Sequence, residues 1–223
     1  MTQSKLILAS GSPRRQEFMR ALGLNFAIRA ADIDERTADG ERPEDLVARL
    51  SREKAQAVAA QEPDAAVIGA DTIVTLDGEI LGKPTDPDDA ARMLRQLRDR
   101  PHAVYSGVTV CPAGGGVPQT AVVGTTVWMR AYSDAEIAAY VDSSDPLDKA
   151  GAYAIQHPGF APVARIEGCY ASVMGLPVQD LVRLLARAGI VPPVDAGQAC
   201  TSLTGFPCCG GTSVTLEPVS RNL

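Results

Sequence analysis

Aromatic residues make up only 4% of this 223-residue chain, with one tryptophan, and its 21 lysines and arginines are outnumbered by 27 aspartates and glutamates, for a net charge of −6. A generic nucleic-acid binder needs a basic face and stacking platforms, so no stable nucleic-acid binding is expected. Histidine is nearly missing. His102 and His157 are the two present, and neither lies in a paired-histidine or nucleophile-elbow motif, which disfavours zinc-hydrolase and Ser-His-Asp chemistry. The five cysteines, at 111, 169, 200, 208 and 209, are odd in number and fit neither a disulfide framework nor a zinc site, so reduced thiols are expected. No run approaches the roughly 18 apolar residues of a membrane span, and Leu6-Ile7-Leu8-Ala9 is too short for a secretory core. These absences point to a cytoplasmic protein and leave a small charged ligand open.

What is present is a 45% hydrophobic fraction, enough for a core in a chain of this length. Lys5 to Ala9 reads as a short buried strand, followed by the Ser10-Gly11-Ser12-Pro13 turn and a helix from Arg14 to Leu22 with Ser12 as its N-cap. A strand around Phe26 to Ala30 precedes a longer helix from Glu44 to Gln61. Ala66 to Leu76 is a near-continuous apolar strand turned back through Asp77-Gly78 into Glu79-Ile80-Leu81. Asp86-Pro87-Asp88-Asp89 and Ser133-Asp134-Ala135-Glu136 open two further helices. Ala103 to Cys111 and Ala121 to Arg130 alternate as strands about Gly114-Gly115-Gly116, and Pro177 to Ala188 is a last amphipathic helix. This order predicts an α/β fold, a twisted mixed β-sheet with flanking helices, over residues 1–191. Residues 192–223 show no helical period and read as a tail, with a hairpin strand at Ser213-Val214-Thr215-Leu216 as the competing reading.

Several residues are out of place for a plain core. Asp71 sits in the middle of the most apolar strand, where a carboxylate must find a cation, a metal or hydrogen-bond donors; a structural cap and a functional group both fit. Lys54 falls inside the apolar stripe formed by Leu46, Val47, Leu50, Ala57 and Val58, either snorkelling at its edge or reaching into a cleft. Asp32, Asp34 and Glu35 form an acidic turn that could hold a hard cation or simply face solvent. Arg14 and Arg15 follow the serine turn at a helix start, where amides and guanidinium groups can hold phosphate. Lys83, after the hairpin, is directed back toward the same end of the sheet. Several cations and several carboxylates near strand ends suggest a polyphosphate with its divalent metal. The serine turn lacks the Walker pattern, which disfavours a P-loop ATPase.

Five blocks complete the pattern: Leu8-Ala9-Ser10-Gly11-Ser12-Pro13-Arg14-Arg15, Asp32-Ile33-Asp34-Glu35, Gly69-Ala70-Asp71-Thr72, Gly82-Lys83-Pro84, and Asp148-Lys149-Ala150-Gly151-Ala152-Tyr153-Ala154-Ile155-Gln156. With Gly175-Leu176-Pro177 they resemble the Maf family, in the family's order over about residues 4 to 190. The resemblance implies a cytoplasmic nucleoside triphosphate pyrophosphatase that cleaves between the α and β phosphates with magnesium or manganese. It also implies two lobes around a cleft, and a frequent homodimer.

Carried over by position, Asp71 resembles the family's proton acceptor, and Glu35 with Asp71 would hold the metal. Arg15, Lys54 and Lys83 would neutralise the triphosphate, with Ser10 and Ser12 lining the anion loop. Arg14, Thr72 and Gln156 stand at the base-preference positions and resemble the dTTP- and UTP-preferring branch. The branch acting on 7-methyl-GTP has tryptophan, glutamine and glutamate there. Modified pyrimidine nucleotides such as 5-methyl-UTP or pseudo-UTP are not separated from dTTP and UTP by these residues. The chain departs from the family at His157-Pro158, where glycine is usual, and at Ser106, where threonine is common. The rival implied by the same resemblance is a non-catalytic regulator of septum formation acting through a binding partner.

Overall fold

The computed structural model describes residues 5–206 and 208. Its centre is a mixed seven-stranded sheet in the order β2-β1-β3-β5-β6-β7, with β4 also on β3. The strands are β1 (Lys5–Leu8), β2 (Ala27–Ile28), β3 (Ala65–Leu76), β4 (Glu79–Leu81), β5 (Pro101–Cys111), β6 (Gln119–Met129) and β7 (Val163–Glu167). The helices are α1 (Pro13–Ala21), α2 (Pro43–Ala59), α3 (Pro87–Leu97), α4 (Asp134–Asp142), α5 (Tyr170–Val173), α6 (Val178–Arg187) and α7 (Ala196–Thr204). Two 3-10 turns, Asp145–Asp148 and Ala150–Ala152, join α4 to β7.

β3 explains the arrangement. Successive side chains of a strand point to opposite faces, and both faces of β3 are covered. Ala65 and Val67 pack in the cluster with Ala55 and Val58 of α2, and Ile73 with Leu46, Val47 and Leu50. Ala66, Ile68, Ala70 and Val74 join the larger core with Phe18 of α1 and Leu181 of α6. A strand buried on both sides reads as a continuous apolar run, as this one does. α2 lies close on the sheet because two glycines permit it: a Cβ on Gly69 would meet the Ser51 carbonyl at 2.2 Å, and one on Gly107 the Val47 carbonyl at 2.2 Å.

Pairing also leaves a gap. On one edge of β3, β1 pairs only as far as Leu8 with Ile68, and β4 begins at Val74 with Leu81. The β3 backbone between those registers has β5 on one side and no strand on the other.

The helix starts at Asp86 and Ser133 behave as their sequences predict. Asp86 accepts from the Asp89 amide, and Ser133 and Glu136 form a reciprocal capping box. Three local expectations change. Ser12 occupies the N-cap of α1, but its side chain makes no capping bond. The second strand shrinks to Ala27–Ile28. Beyond residue 191, where no helical period was expected, α7 forms with Asp195 capping it at the Gln198 amide, and Ala196, Ala199 and Cys200 are buried in the main core. The reading of Ser213 to Leu216 as a strand falls outside the described residues.

Candidate functional site

The unpaired stretch of β3 opens into a cleft of about 470 Å³. Ser10, Ser12, Arg14, Arg15, Glu35, Lys54, Asp71, Thr72, Lys83 and Gln156 all line it. The alternation of β3 divides the site into two halves. Asp71 points to the α2 face and Thr72 to the α1 face, so neighbouring residues in one strand meet different helices.

On the α2 side, Lys54 and Asp71 are 8% and 6% exposed. The Lys54 ammonium donates to Asp71 Oδ1 at 2.6 Å and pairs with Glu35 Oε1 at 2.8 Å. Lys54 therefore reaches into the cleft from an apolar helix face, and Asp71 meets a cation rather than backbone amides. Of the acidic turn, only Glu35 lines the cleft; Asp34 turns away to Arg36, with Oδ2 2.8 Å from Nε.

On the α1 side, every nitrogen of the Arg15 guanidinium has a protein acceptor. Nε donates to the Gly175 carbonyl at 2.9 Å, Nη1 to Ser10 Oγ at 3.0 Å, and Nη2 to Thr72 Oγ1 at 3.4 Å. Burial lowers its pKa and Asp71 acts in the opposite direction; arginine remains charged in proteins. Ser10 Oγ also accepts from the Ser12 amide at 3.3 Å, which tightens the loop between β1 and α1. Lys83 and Gln156 are exposed at the cleft, and the Gly151 amide donates to the Gly82 carbonyl at 3.0 Å, tying together the two loops that carry them.

Sequence reasoning assigned no role to Lys149. It is buried yet lines the cleft, with its ammonium 2.6 Å from Asp148 Oδ1 and 3.0 Å from Asp145 Oδ1. It lies in a loop without periodicity, so no stripe marked it. Ser106 is likewise fully buried behind Thr72, its Oγ 2.8 Å from Thr72 Oγ1.

Chemically, the cleft offers five cationic side chains beside three carboxylates, the balance suited to an anionic ligand that brings a divalent cation. Glu35 and Asp71 converge on the same ammonium, and both are hard oxygen donors. Among the described residues, no group of three or more His, Cys, Asp and Glu side chains could hold an ion. A cation here would complete its shell with phosphate oxygens and water, as magnesium commonly does.

Comparison with known sequences fits this geometry. The family pattern described as "Maf-like protein" matches residues 5–188. The chain belongs to the Maf family. A relative named dTTP/UTP pyrophosphatase from Myxococcus xanthus (strain DK1622) is 49% identical over 191 residues, covering 86% of this Maf chain and 96% of the relative. The protein of the same name from Anaeromyxobacter dehalogenans (strain 2CP-C) is 49% identical, covering 85% and 96%. That from Pelotomaculum thermopropionicum is 44% identical over 185 residues, covering 83% and 97%.

Proposed function

We propose that this Maf protein hydrolyses dTTP and UTP to the nucleoside monophosphate and pyrophosphate. The observation that carries the reading is the buried Lys54–Asp71 pair, joined by Glu35, in the same cleft as Arg14, Arg15 and Lys83. The names of relatives at 44–49% identity support the same reaction and the same bases.

In this reading the triphosphate enters with its charge facing Arg15, Lys54 and Lys83, and the Ser10–Ser12 loop lines its path. Asp71 takes the proton of a water as that water attacks phosphorus at the α–β anhydride; the anhydride bond breaks and pyrophosphate leaves. Lys54 holds one Asp71 oxygen at 2.6 Å, which orients the carboxylate toward the cleft. Glu35 and Asp71 would hold magnesium or manganese, which when bound supplies charge neutralisation on the phosphates. Arg14, Thr72 and Gln156 read the base; an amide such as Gln156 can donate to a carbonyl of the pyrimidine edge. Residues 1–191 form the catalytic unit, and the substrate pool sets the compartment as the cytoplasm. No helix among the described residues is long and apolar enough to cross a membrane.

The test is magnesium-dependent pyrophosphate release from dTTP, UTP, CTP, GTP, 7-methyl-GTP and ATP, with Asp71→Asn alongside. Selective release from dTTP and UTP, reduced by about 10²–10⁴-fold in the folded variant, is expected for loss of a general base. No release from any nucleotide would sink the reading and favour the regulator of septum formation.

A further inference from the structure

Behind the cleft wall, three polar groups form a line whose hydrogen-bond direction can be deduced. Ser106 Oγ lies 2.7 Å from the carbonyl oxygen of Ser172 and 2.8 Å from Thr72 Oγ1. A carbonyl only accepts, so the single Ser106 hydroxyl proton is committed to Ser172. That carbonyl also takes the Gly175 amide at 2.9 Å, which fills both its lone-pair positions. Two hydroxyl oxygens 2.8 Å apart need a proton between them, and Ser106 has none left. The proton must come from Thr72. Its hydroxyl therefore points away from the cleft, and Thr72 Oγ1 faces the cleft as an acceptor only, with Arg15 Nη2 on one lone pair at 3.4 Å.

The scaffold around this line is fixed. Thr72 and Ser106 are directly opposed in the β3–β5 ladder. Ser106 is 0% exposed and Ser172 is buried as well, so water does not compete for their bonds. The turn from Ser172 to Gly175 takes Ser106 at one carbonyl and Arg15 Nε at the other, so both neighbours of Thr72 are held by the same few residues.

We propose that Ser106 is a positioning residue for base selection: by consuming the Thr72 proton it makes Thr72 an obligate acceptor, which selects a pyrimidine whose ring N3 carries hydrogen. Uracil and thymine present N3–H to such an oxygen. Cytosine in the same pose presents a bare N3, lone pair against lone pair, and a buried mismatch of this kind is a strong discriminator. The proposal rests on the pyrimidine reading above and adds the residue that enforces it.

The experiment is calorimetric titration of UMP and CMP into the wild-type protein and into Ser106→Ala and Ser106→Thr, with thermal melts of each. The expected result is tighter binding of UMP than CMP by the wild type, a preference reduced about tenfold in Ser106→Ala, and retention in Ser106→Thr, which keeps the hydroxyl. Loss of packing alone would weaken both nucleotides equally and leave the ratio in place. If Ser106→Ala does not melt cooperatively, Thr72→Val decides, since it removes the acceptor at nearly constant shape and must also lose the preference. A wild type without preference, or a folded Ser106→Ala or Thr72→Val that keeps it, overturns the proposal. A wild type that prefers UMP but releases no pyrophosphate from any triphosphate overturns the reaction and leaves the selection intact.

Discussion

The Lys54 ammonium and an Asp71 carboxylate oxygen lie 2.6 Å apart, one from the apolar stripe of a helix and one from a largely apolar strand. Their side chains are 10% and 9% exposed, whereas Glu35, the second partner of Lys54, is 59% exposed. Removing one member of a buried pair leaves an uncompensated charge and costs on the order of 3–5 kcal/mol, while breaking an exposed contact costs about 0–1 kcal/mol. Lys54→Met should therefore lower both stability and turnover. Glu35→Gln should lower turnover with little change in stability. Urea unfolding beside pyrophosphate release separates the two, and equal stability losses would show that Lys54 is not the buried hub.

His102 gives the fold a pH dependence of its own. It is buried, with Nε2 2.7 Å from the Tyr153 hydroxyl, and burial pushes its pKa down to about 3 from 6.5. Below pH 6.5 the unfolded chain takes up a proton that the folded chain refuses. Stability from this residue is therefore complete above 6.5 and is lost as pH falls toward 3, by about 2 kcal/mol at pH 5. The urea midpoint should drop between pH 7.5 and 5 in the wild type and much less in His102→Gln. The same drop in both proteins would remove His102 as its source.

What the sequence disclosed of this site follows from contrast. Asp71 in an apolar strand and Lys54 in an apolar stripe violate their surroundings, so a single chain is enough to mark them, and the structure joins the two. Lys149 and Ser106 violate nothing visible. Lys149 lies in a loop with no period to break, and a serine in a strand gives no sign of the direction in which its proton points. The acidic turn shows a similar limit: Asp34 and Glu35 are adjacent and alike as residues, and the chain path sends one to Arg36 and the other to Lys54. α7 escaped because Ala196, Ala199 and Cys200 are too small to make a hydrophobic stripe stand out, although they are buried.

Gln156 is exposed at the cleft mouth, where its amide nitrogen can donate to a base carbonyl. A glutamate there accepts only. Gln156→Glu should reduce kcat/KM for dTTP by at least about tenfold relative to 7-methyl-GTP, measured by competing the two substrates. An unchanged ranking would separate Gln156 from base selection.

Truncation after Val191 tests whether the last segment serves the fold or the reaction. α7 buries Ala196, Ala199 and Cys200 in the main core, Phe206 stacks on Tyr170 with ring centroids 5.2 Å apart, and the Val194 amide donates to the Leu22 carbonyl at 3.2 Å. Losing these contacts should cost about 2–4 kcal/mol by the apolar surface re-exposed. Every residue that lines the cleft lies at or before Gly175, so the rate per folded molecule should change little. The truncated protein should therefore unfold at lower urea concentration yet turn over dTTP near the wild-type rate at 25 °C. A truncation that stays folded and loses its activity would make α7 part of the catalytic machinery, reached through α1, the helix that carries Arg14 and Arg15.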